Sequence, residues 1–407
     1  MRYRAAALAV LGLVAMTALG ASLAVAEVPP RRLLPSSTSH RYTVEPTLET
    51  IDFSTPNEGY GLFEEQGVRT CKGLVGKTGD GGASFDSLAV AMSWACSNNP
   101  PARFLTFDDG GDGFLYGPRL FVTHNRGKTW QPDTQPGVVV AVSAVGHSVW
   151  MLEGDCPAGA FTLPRSTTCP LRLLQSTDGG RAWSAMSDQP PGARASTGAL
   201  TLEAALGQGW LTRVNGASAY VVSNPTPTES ASSSNTASLW YTDDGGATWV
   251  AEEIPCGVDA QSVSFSVAPD GAVVAVCAEE PAAGSEPKSM SVSLDEGRTW
   301  SVRRSCVGSS SQCPSLLGYL GNVAATSSTT AFVVGDRSPL LITRDGGNSW
   351  EALQTVGDVN GMPAQVIFFG AANGVVLGRE NTASSPIAIW HTADGGLRWT
   401  EFTPTIK

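Results

Sequence analysis

Acidic side chains outside any repeated motif are the first candidates for chemistry in this 407-residue chain. Hydrolysis of a glycosidic bond uses two carboxyl groups held on either side of the scissile bond. The residues that could supply them are Asp52, Asp108, Asp109, Asp112, Glu153, Asp155, Glu203 and Asp259. Nothing in their spacing pairs any two of them, so the sequence identifies no catalytic residue.

Short metal-binding and hydrolase motifs give equally little support for catalysis. Residues 108–113 (DDGGDG) suggest calcium, but Gly110 occupies a ligand position and Arg119 stands where a loop-closing Glu is required. A tight hairpin explains this segment better. The chain contains neither HExxH nor GxSxG, and its histidines are His40, His124, His147 and His391. We therefore predict no metal and no cofactor.

An eight-residue pattern that recurs seven times predicts the elements that must position these residues. The copies begin at Thr78, Thr123, Ser176, Thr242, Ser293, Thr343 and Thr392, and their third positions are 45 to 66 residues apart. The segments between them, such as GVVVAVSAV from Gly137, are β-rich and end in turn residues. A period near 50 residues with strands rather than helices predicts one four-stranded propeller blade for each copy.

The residues within each copy are suited to a turn. An Asp or Asn at the third position can accept N–H groups of its own turn, and the following Gly permits positive φ. The final aromatic ring can be buried between sheets. Identical use in every copy favours a structural role for the third-position residues Asp80, Asn125, Asp178, Asp244, Asp295, Asp345 and Asp394, and for the aromatic residues Phe85, Trp130, Trp183, Trp249, Trp300, Trp350 and Trp399.

The octapeptide resembles the Asp-box, or BNR repeat, of a propeller superfamily that includes sialidases, photosystem II assembly factors, sortilin-type receptors and xyloglucanase-type glycosidases. The resemblance runs from about residue 43 to the C-terminus. It implies an all-β, seven-bladed propeller with the box in the third-to-fourth strand hairpin of each blade. We place the blades at 43–88, 89–136, 137–196, 197–256, 257–312, 313–361 and 362–407, each with its own four strands, and expect closure by packing and the C-terminal tail.

The N-terminus and the charge indicate an exported protein. Arg2 and Arg4 precede an apolar stretch that ends in Ala24-Val25-Ala26, which predicts a signal peptide over 1–26. A linker over 27–42 and the propeller over 43–407 follow. If the stretch were not cleaved, it could anchor the chain in a membrane. We expect a secreted or cell-envelope, extracytoplasmic monomer, and the net charge of −11 argues against nucleic acid as a partner.

The eight cysteines fit a disulfide-bonded exported protein better than a zinc site, because close CxxC pairs are absent. Sequence alone leaves many connectivities open. We predict pairing between cysteines that are close in sequence. Cys156 with Cys169 and Cys306 with Cys313 would each close a short loop. Cys256 with Cys277 would staple one blade, and Cys71 with Cys96 would link the first two blades.

The alignment of the boxes also predicts a functional face. The box hairpin and the first-to-second strand hairpin share one rim, so the second-to-third strand loops emerge on the opposite rim. Insertions after Glu153, Ser223 and Glu279 collect there, and loops on a rigid frame commonly bind ligands. Sialidases also carry an RIP-type arginine motif before the first box. No RIP sequence occurs in this chain, and neither Arg41 nor Arg69, which precede the first box, lies in that context.

The leading hypothesis is therefore a non-catalytic binding protein that recognises a protein or glycan through its loop-rich rim. The alternative is a glycoside hydrolase, either sialidase-like or xyloglucanase-like. That alternative requires two carboxylates, or three arginines with a Tyr, to converge at the mouth of the central channel.

Overall fold

The protein folds into seven small antiparallel sheets. The computed structural model describes residues 45–134, 137–154, 171–186, 209–223, 236–257, 260–280, 286–304, 319–336, 339–353, 362–379 and 387–407. Within these ranges the regular elements are strands, which confirms the predicted all-β fold class. The part of the chain described here contains no helix long and apolar enough to cross a membrane.

Each sheet contains four strands that are consecutive in sequence, and the first sheet gains a fifth from the C-terminus. Blades 1 to 4 comprise β1 Thr47–Phe53, β2 Gly59–Gln66, β3 Thr70–Thr78, β4 Ser84–Ala95; β5 Phe104–Phe107, β6 Gly113–Tyr116, β7 Phe121–Thr123, β8 Gln131–Pro132; β9 Val138–Val145, β10 Ser148–Gly154, β11 Leu171–Ser176, β12 Ser184–Ala185; and β13 Gly209–Arg213, β14 Ala219–Ser223, β15 Thr236–Thr242, β16 Val250–Pro255. Blades 5 to 7 comprise β17 Ala260–Val267, β18 Val273–Glu279, β19 Lys288–Ser293, β20 Ser301–Arg304; β21 Tyr319–Ala325, β22 Ala331–Asp336, β23 Leu340–Thr343, β24 Glu351–Leu353; and β25 Met362–Phe369, β26 Asn373–Arg379, β27 Ile387–Thr392, β28 Thr400–Phe402, followed by the extra strand β29 Thr405–Ile406.

The first strand of every blade lines the centre of a closed ring. Each of these strands contacts the first strand of the next blade, and β25 contacts β1. The predicted seven-bladed propeller is therefore confirmed, and each octapeptide lies in the hairpin between the third and fourth strands of its blade. One boundary was wrong: β4 runs to Ala95, beyond the predicted end of blade 1 at residue 88.

Apolar side chains between neighbouring blades form the core. Among the described residues, seven buried clusters occupy the seven interfaces between blades. Each cluster contains or packs against one final aromatic residue of the octapeptide. In the cluster between blades 7 and 1 this residue is Phe85, which is fully buried. Burial of large rings at the same place in every interface explains why the pattern ends in an aromatic residue.

The innermost strands are also joined by hydrogen bonds from polar side chains to the backbone of the next blade. In blade 1, Asp52 Oδ2 accepts the N–H of Phe107 at 2.7 Å. Across the interface between blades 6 and 7, Asn322 Nδ2 donates to the carbonyl of Val366 at 2.8 Å, and its Oδ1 accepts the N–H of Val366 at 2.9 Å. These bonds satisfy backbone groups that face the channel, where no further strand pairs with them.

Blade 7 and the C-terminal tail close the ring through contacts at two distances from its axis. Near the channel, Gln365 Nε2 of blade 7 donates to the carbonyl of Ile51 in blade 1 at 2.8 Å, and its Oε1 accepts the N–H of Ile51 at 3.2 Å. At the outer edge, β29 pairs in parallel with β4, with Thr405 opposite Ser84. The C-terminal tail, which was expected to help close the ring by packing, does so as a β-strand.

Two predicted disulfides are present, but their structural roles are exchanged. Cys71 and Cys96, with Cα atoms 5.1 Å apart, join β3 to the residue after β4 and so staple blade 1 internally. The predicted link between two blades was wrong because β4 is longer than expected. Cys256 and Cys277 instead connect the end of blade 4 to β18 of blade 5, with Cα atoms 5.6 Å apart. The other two predicted pairs, Cys156 with Cys169 and Cys306 with Cys313, lie outside the described residues.

Candidate functional site

The octapeptide aspartates are held by bonds within their own turns. In the first copy, the hydroxyl of Thr78 donates to Asp80 Oδ1 at 2.9 Å and accepts the N–H of Gly82 at 2.8 Å. Asp80 Oδ1 also accepts the N–H of Ser84 at 2.8 Å. The same three bonds occur in the other six copies. All three bonds lie within one turn, so these side chains are not directed toward a shared site.

Hydrogen bonding keeps these carboxylates ionised. Bonds from Ser84 and Thr78 lower the pKa of Asp80 to about 2, and bonds from Thr248 and Thr242 lower that of Asp244 to about 2. A carboxylate with so low a pKa is a poor proton donor or acceptor near neutral pH.

The residue after the third position of each octapeptide has a positive φ. Gly tolerates this conformation, but Arg126 (φ 60°) and Glu296 (φ 62°) adopt it less readily.

The octapeptide turns and the first-to-second strand turns share a rim, as the sequence analysis expected. In blade 1 the N–H of Gly81 donates to the carbonyl of Asn57, and in blade 7 the N–H of Gly395 donates to that of Ala372. We call this the box rim. The β6–β7 turn of blade 2 and the ends of the fourth strands therefore lie on the opposite rim.

The described candidate carboxylates outside the repeats do not all converge on one site. Asp52 lines the channel, and burial raises its pKa to about 7, opposed by the bond from Phe107. Glu153 is fully buried, accepts the N–H of Gly137 at 2.7 Å and pairs with Arg172 at 2.8 Å. Asp109 is exposed at the tip of the β5–β6 hairpin. Residues Asp155, Glu203 and Asp259 lie outside the described residues.

The DDGGDG segment forms the tight hairpin that was expected instead of a calcium loop. Asp108 N donates to the carbonyl of Asp112 at 2.9 Å, directly between β5 and β6. Asp108 and Asp112 are both buried and lie on the box rim, where His147 from the next blade meets them.

The predicted loop-rich face mostly falls outside the described residues, since 155–170, 224–235 and 281–285 are not described.

A cleft between blades 1 and 2 opens on the rim opposite the boxes. It consists of an inner cavity of about 330 Å³ and an outer groove of about 760 Å³, which share Trp94 and Pro100. We call them together the blade 1–2 cleft. The cavity is lined by Glu49, Leu62, Phe63, Glu64, Gly73, Met92, Trp94, Pro100, Ala102 and Arg103. The groove is lined by Ser93, Trp94, Ala95, Ser97, Asn98, Asn99, Pro100, Pro101, Pro118, Arg119, Phe121 and Pro132.

Several contacts fix the walls of the blade 1–2 cleft. The Cys71–Cys96 disulfide holds the end of β4 against β3, and Cys96 N donates to the carbonyl of Arg69 at 3.1 Å. Across the groove, Arg119 N donates to the carbonyl of Pro101 at 2.8 Å. The lining therefore belongs to a preformed surface, which reduces the entropy lost on binding.

Two glutamates share the cavity. Glu49 is the extra residue of a β-bulge in β1, between Leu48 and Thr50, and Glu64 lies at the end of β2. Bulges commonly re-aim a side chain beside a binding site. The surrounding protein and the nearby Glu64 carboxylate raise the pKa of Glu49, while Arg379 opposes the shift. Raised carboxyl pKa values are typical of functional sites, although structural ion pairs also produce them.

These cleft residues carry no motif that marks them in the sequence. Glu49 and Glu64 are separated by a hairpin and show no motif, and Trp94 lies past the predicted end of blade 1. The bulge that presents Glu49 has no turn residue to mark it. Only the length of β4, which carries Trp94 to the far rim, could have directed attention there.

Comparisons with known proteins add information on the fold. No protein-family model and no curated protein matches this sequence. Among solved structures, YCF48 from Cyanidioschyzon merolae is similar, with 15% identity and a TM-score of 0.52 over 88% of this chain and 98% of that chain. An ancestral GH74 enzyme is similar with 12% identity and a TM-score of 0.52 over 86% of this chain and 44% of that one. A PL25 ulvan lyase is similar with 10% identity and a TM-score of 0.52 over 86% and 94%.

These similarities confirm the predicted propeller fold. They do not select a function, because the same fold carries unrelated activities. The function must therefore be argued from the residues of the site.

Proposed function

We propose that this protein is an exported, non-catalytic propeller that binds a protein or glycan ligand in the blade 1–2 cleft. The observation that carries the proposal is that the inner cavity and the outer groove lie side by side and share Trp94 and Pro100 in their walls. Ligand sites are typically concave, mostly apolar and lined by a few convergent polar groups. The blade 1–2 cleft has this composition.

The side chains of the groove suit an extended ligand. Trp94 and Phe121 are partly buried in the core between blades 1 and 2, so each ring is fixed while part of it faces the groove. Asn98 and Asn99 are exposed and can donate and accept hydrogen bonds. A sugar ring or an apolar side chain can pack on the aromatic rings while its polar groups bond to the amides.

The charge of the outer groove favours a ligand with an anionic group. Among the residues that line the groove, Arg119 is the one charged side chain, whereas the inner cavity contains Glu49 and Glu64 as well as Arg103. Arg119 is exposed, and a guanidinium can bind a carboxylate through two parallel hydrogen bonds. An acidic peptide or an acidic sugar would supply a carboxylate that binds the Arg119 guanidinium.

Export of the protein is supported by its cysteine chemistry. The described part of the chain contains two disulfides, and such bonds persist in oxidising compartments. The signal peptide expected over residues 1–26 would deliver the chain there.

The proposal is tested by screening the immobilised full chain against a glycan array and a displayed peptide library. We expect ligands in one of these screens, and we expect the double variant Arg119→Ala/Asn99→Ala to bind them roughly tenfold or more weakly, because hydrogen bonds to charged groups are lost. Arg398→Ala, an exposed arginine on the box rim, is the matched control and should bind normally. Equal binding by the wild type and the double variant would contradict the proposal.

A glycoside hydrolase is the second candidate, and the Glu49 and Glu64 pair favours it. One carboxyl with a raised pKa beside a second carboxyl is the arrangement that a general acid and its partner require. A panel of fluorogenic glycosides tests this function. Turnover that is lost in Glu49→Gln and retained in Glu58→Gln, an exposed control on the box rim, would replace the binding proposal with an enzyme.

A further inference from the structure

Three potential metal ligands converge on the box rim between blades 2 and 3. Asp108 and Asp112 flank the β5–β6 hairpin, and His147 lies in the β9–β10 turn. His147 Nδ1 is 3.5 Å from Asp108 Oδ2 and 3.6 Å from Asp112 Oδ2. One potential ligand atom from each residue lies within 4.8 Å of the other two. A single ion could therefore contact all three residues after small side-chain movements.

One oxygen of the cluster lacks a hydrogen bond although it is fully buried. The Asp108 side chain is 0% exposed, and its Oδ1 accepts the N–H of Asp112 at 2.8 Å. Its Oδ2 has no hydrogen-bond partner in the described structure and points toward His147. A buried carboxylate oxygen without a partner is costly, and a bound cation removes that cost.

Two further described side chains, His124 and Arg181, contact the carboxylate of Asp112. His124 Nδ1 is 3.0 Å from Asp112 Oδ1, so this imidazole can hold the carboxylate in place. Outer hydrogen bonds of this kind commonly orient metal-binding carboxylates. Arg181 Nη1 is 3.3 Å from Asp112 Oδ2 and occupies part of the space that a cation would use. The Arg181 side chain is 50% exposed and can turn into solvent.

The backbone of the blade 3 octapeptide turn also leaves space for the Asp112 carboxylate. Gly179 has φ of 73°, and a Cβ at that position would collide with Asp112 Oδ2. The turn of the blade 3 octapeptide therefore leaves room for a carboxylate from blade 2. Any larger residue at position 179 would displace the Asp112 side chain from the cluster.

We propose that Asp108 Oδ2, Asp112 Oδ2 and His147 Nδ1 bind one divalent transition-metal ion of the Zn²⁺ type and thereby cross-link blades 2 and 3. One imidazole with two carboxylates suits zinc better than calcium, which takes six to eight oxygen ligands. Because His147 is 68% exposed, water can complete the coordination. This site is on the opposite rim from the blade 1–2 cleft, so its test does not depend on the proposed function.

The test is calorimetric titration of the untagged, metal-stripped full chain with ZnCl₂, together with the visible absorption spectrum of Co²⁺ as a coordination probe. We expect one tight site per chain. Asp108→Asn and His147→Ala should each weaken Zn²⁺ binding roughly tenfold or more, and His124→Ala by about 10- to 100-fold, as for outer-shell partners. Asp108→Asn retains an oxygen for the N–H of Asp112, so its fold should be preserved.

Two further variants separate a metal site from a merely structural cluster. Asp109→Asn removes the neighbouring exposed charge and should leave Zn²⁺ affinity unchanged. Arg181→Ala removes the competing cation and should tighten Zn²⁺ binding, a result that a structural ion pair would not give. No Zn²⁺ binding, or equal binding by the wild type and Asp108→Asn, would overturn the proposal.

Discussion

Replacement of Asp52 by Asn should stabilise the propeller at neutral and alkaline pH. Asp52 lies in β1, and its only described hydrogen bond is from the N–H of Phe107, at 2.7 Å. Burial raises its pKa from 3.8 to about 7. Between these pH values the folded protein keeps the Asp52 proton while the unfolded chain releases it. The free energy of unfolding therefore falls as pH rises through this window and levels off above pH 7.

The size of the effect follows from the two pKa values. Their difference of about 3 corresponds to about 4 kcal/mol, which is the most that the charged carboxylate can cost the folded state. Water that enters the channel reduces this cost, so we expect Asp52→Asn to raise the free energy of unfolding by about 1 to 4 kcal/mol at pH 8. Asn is neutral at all pH values, and its Oδ1 can still accept the Phe107 N–H.

Urea unfolding followed by tryptophan fluorescence at pH 4, 6 and 8 measures this difference directly. The gain of Asp52→Asn over the wild type should be largest at pH 8 and should vanish near pH 4. Asp109→Asn, which removes an exposed charge, should stay within about 0.5 kcal/mol of the wild type at each pH. A variant that is less stable than the wild type at pH 8, or equally different at all three pH values, would refute the reasoning.

Three further predictions concern closure, the disulfide of blade 1 and acid sensitivity. Deletion of residues 403–407 removes β29 from β4 and should lower the melting temperature in calorimetry, whereas Lys407→Ala should have little effect, because its contact with Asp80 is exposed. Replacing both Cys71 and Cys96 by Ser should cost about 2 to 4 kcal/mol in urea unfolding and weaken ligand binding in the blade 1–2 cleft, because the end of β4 is released. Burial lowers the pKa of His391 below 6.5, so protonation of the unfolded chain should destabilise the protein as pH falls below 6.5; His391→Gln should lose less stability between pH 7.5 and 5.

The fold could be predicted because its signal is local. Thr78, Asp80 and Ser84 bond to one another within a single turn, and the same arrangement recurs six more times. The spacing of these turns determines the number of blades. The aromatic residue at the end of each copy packs between blades, which gives the repeat its second structural role.

The candidate sites depend on contacts between distant residues and could not be predicted in the same way. Asp112 and His147 meet because blades 2 and 3 are neighbours, and no spacing along the chain encodes that distance. The sequence placed Asp108 and Asp112 in a hairpin but could not show that one oxygen of Asp108 is left buried without a partner. The cysteine pairs were chosen from proximity in sequence, while the structural role of Cys71 and Cys96 depended on the unmarked length of β4.

The central claim is that the ligand binds in the blade 1–2 cleft. Hydrogen–deuterium exchange of the full chain, with and without a ligand selected from the glycan or peptide screen, tests it most directly. We expect slower exchange in the segments 93–101 and 118–121, which contain most of the groove lining, and unchanged exchange at the octapeptide turns. Protection confined to the box rim, or to the insertions after Glu153, Ser223 and Glu279, would contradict the claim.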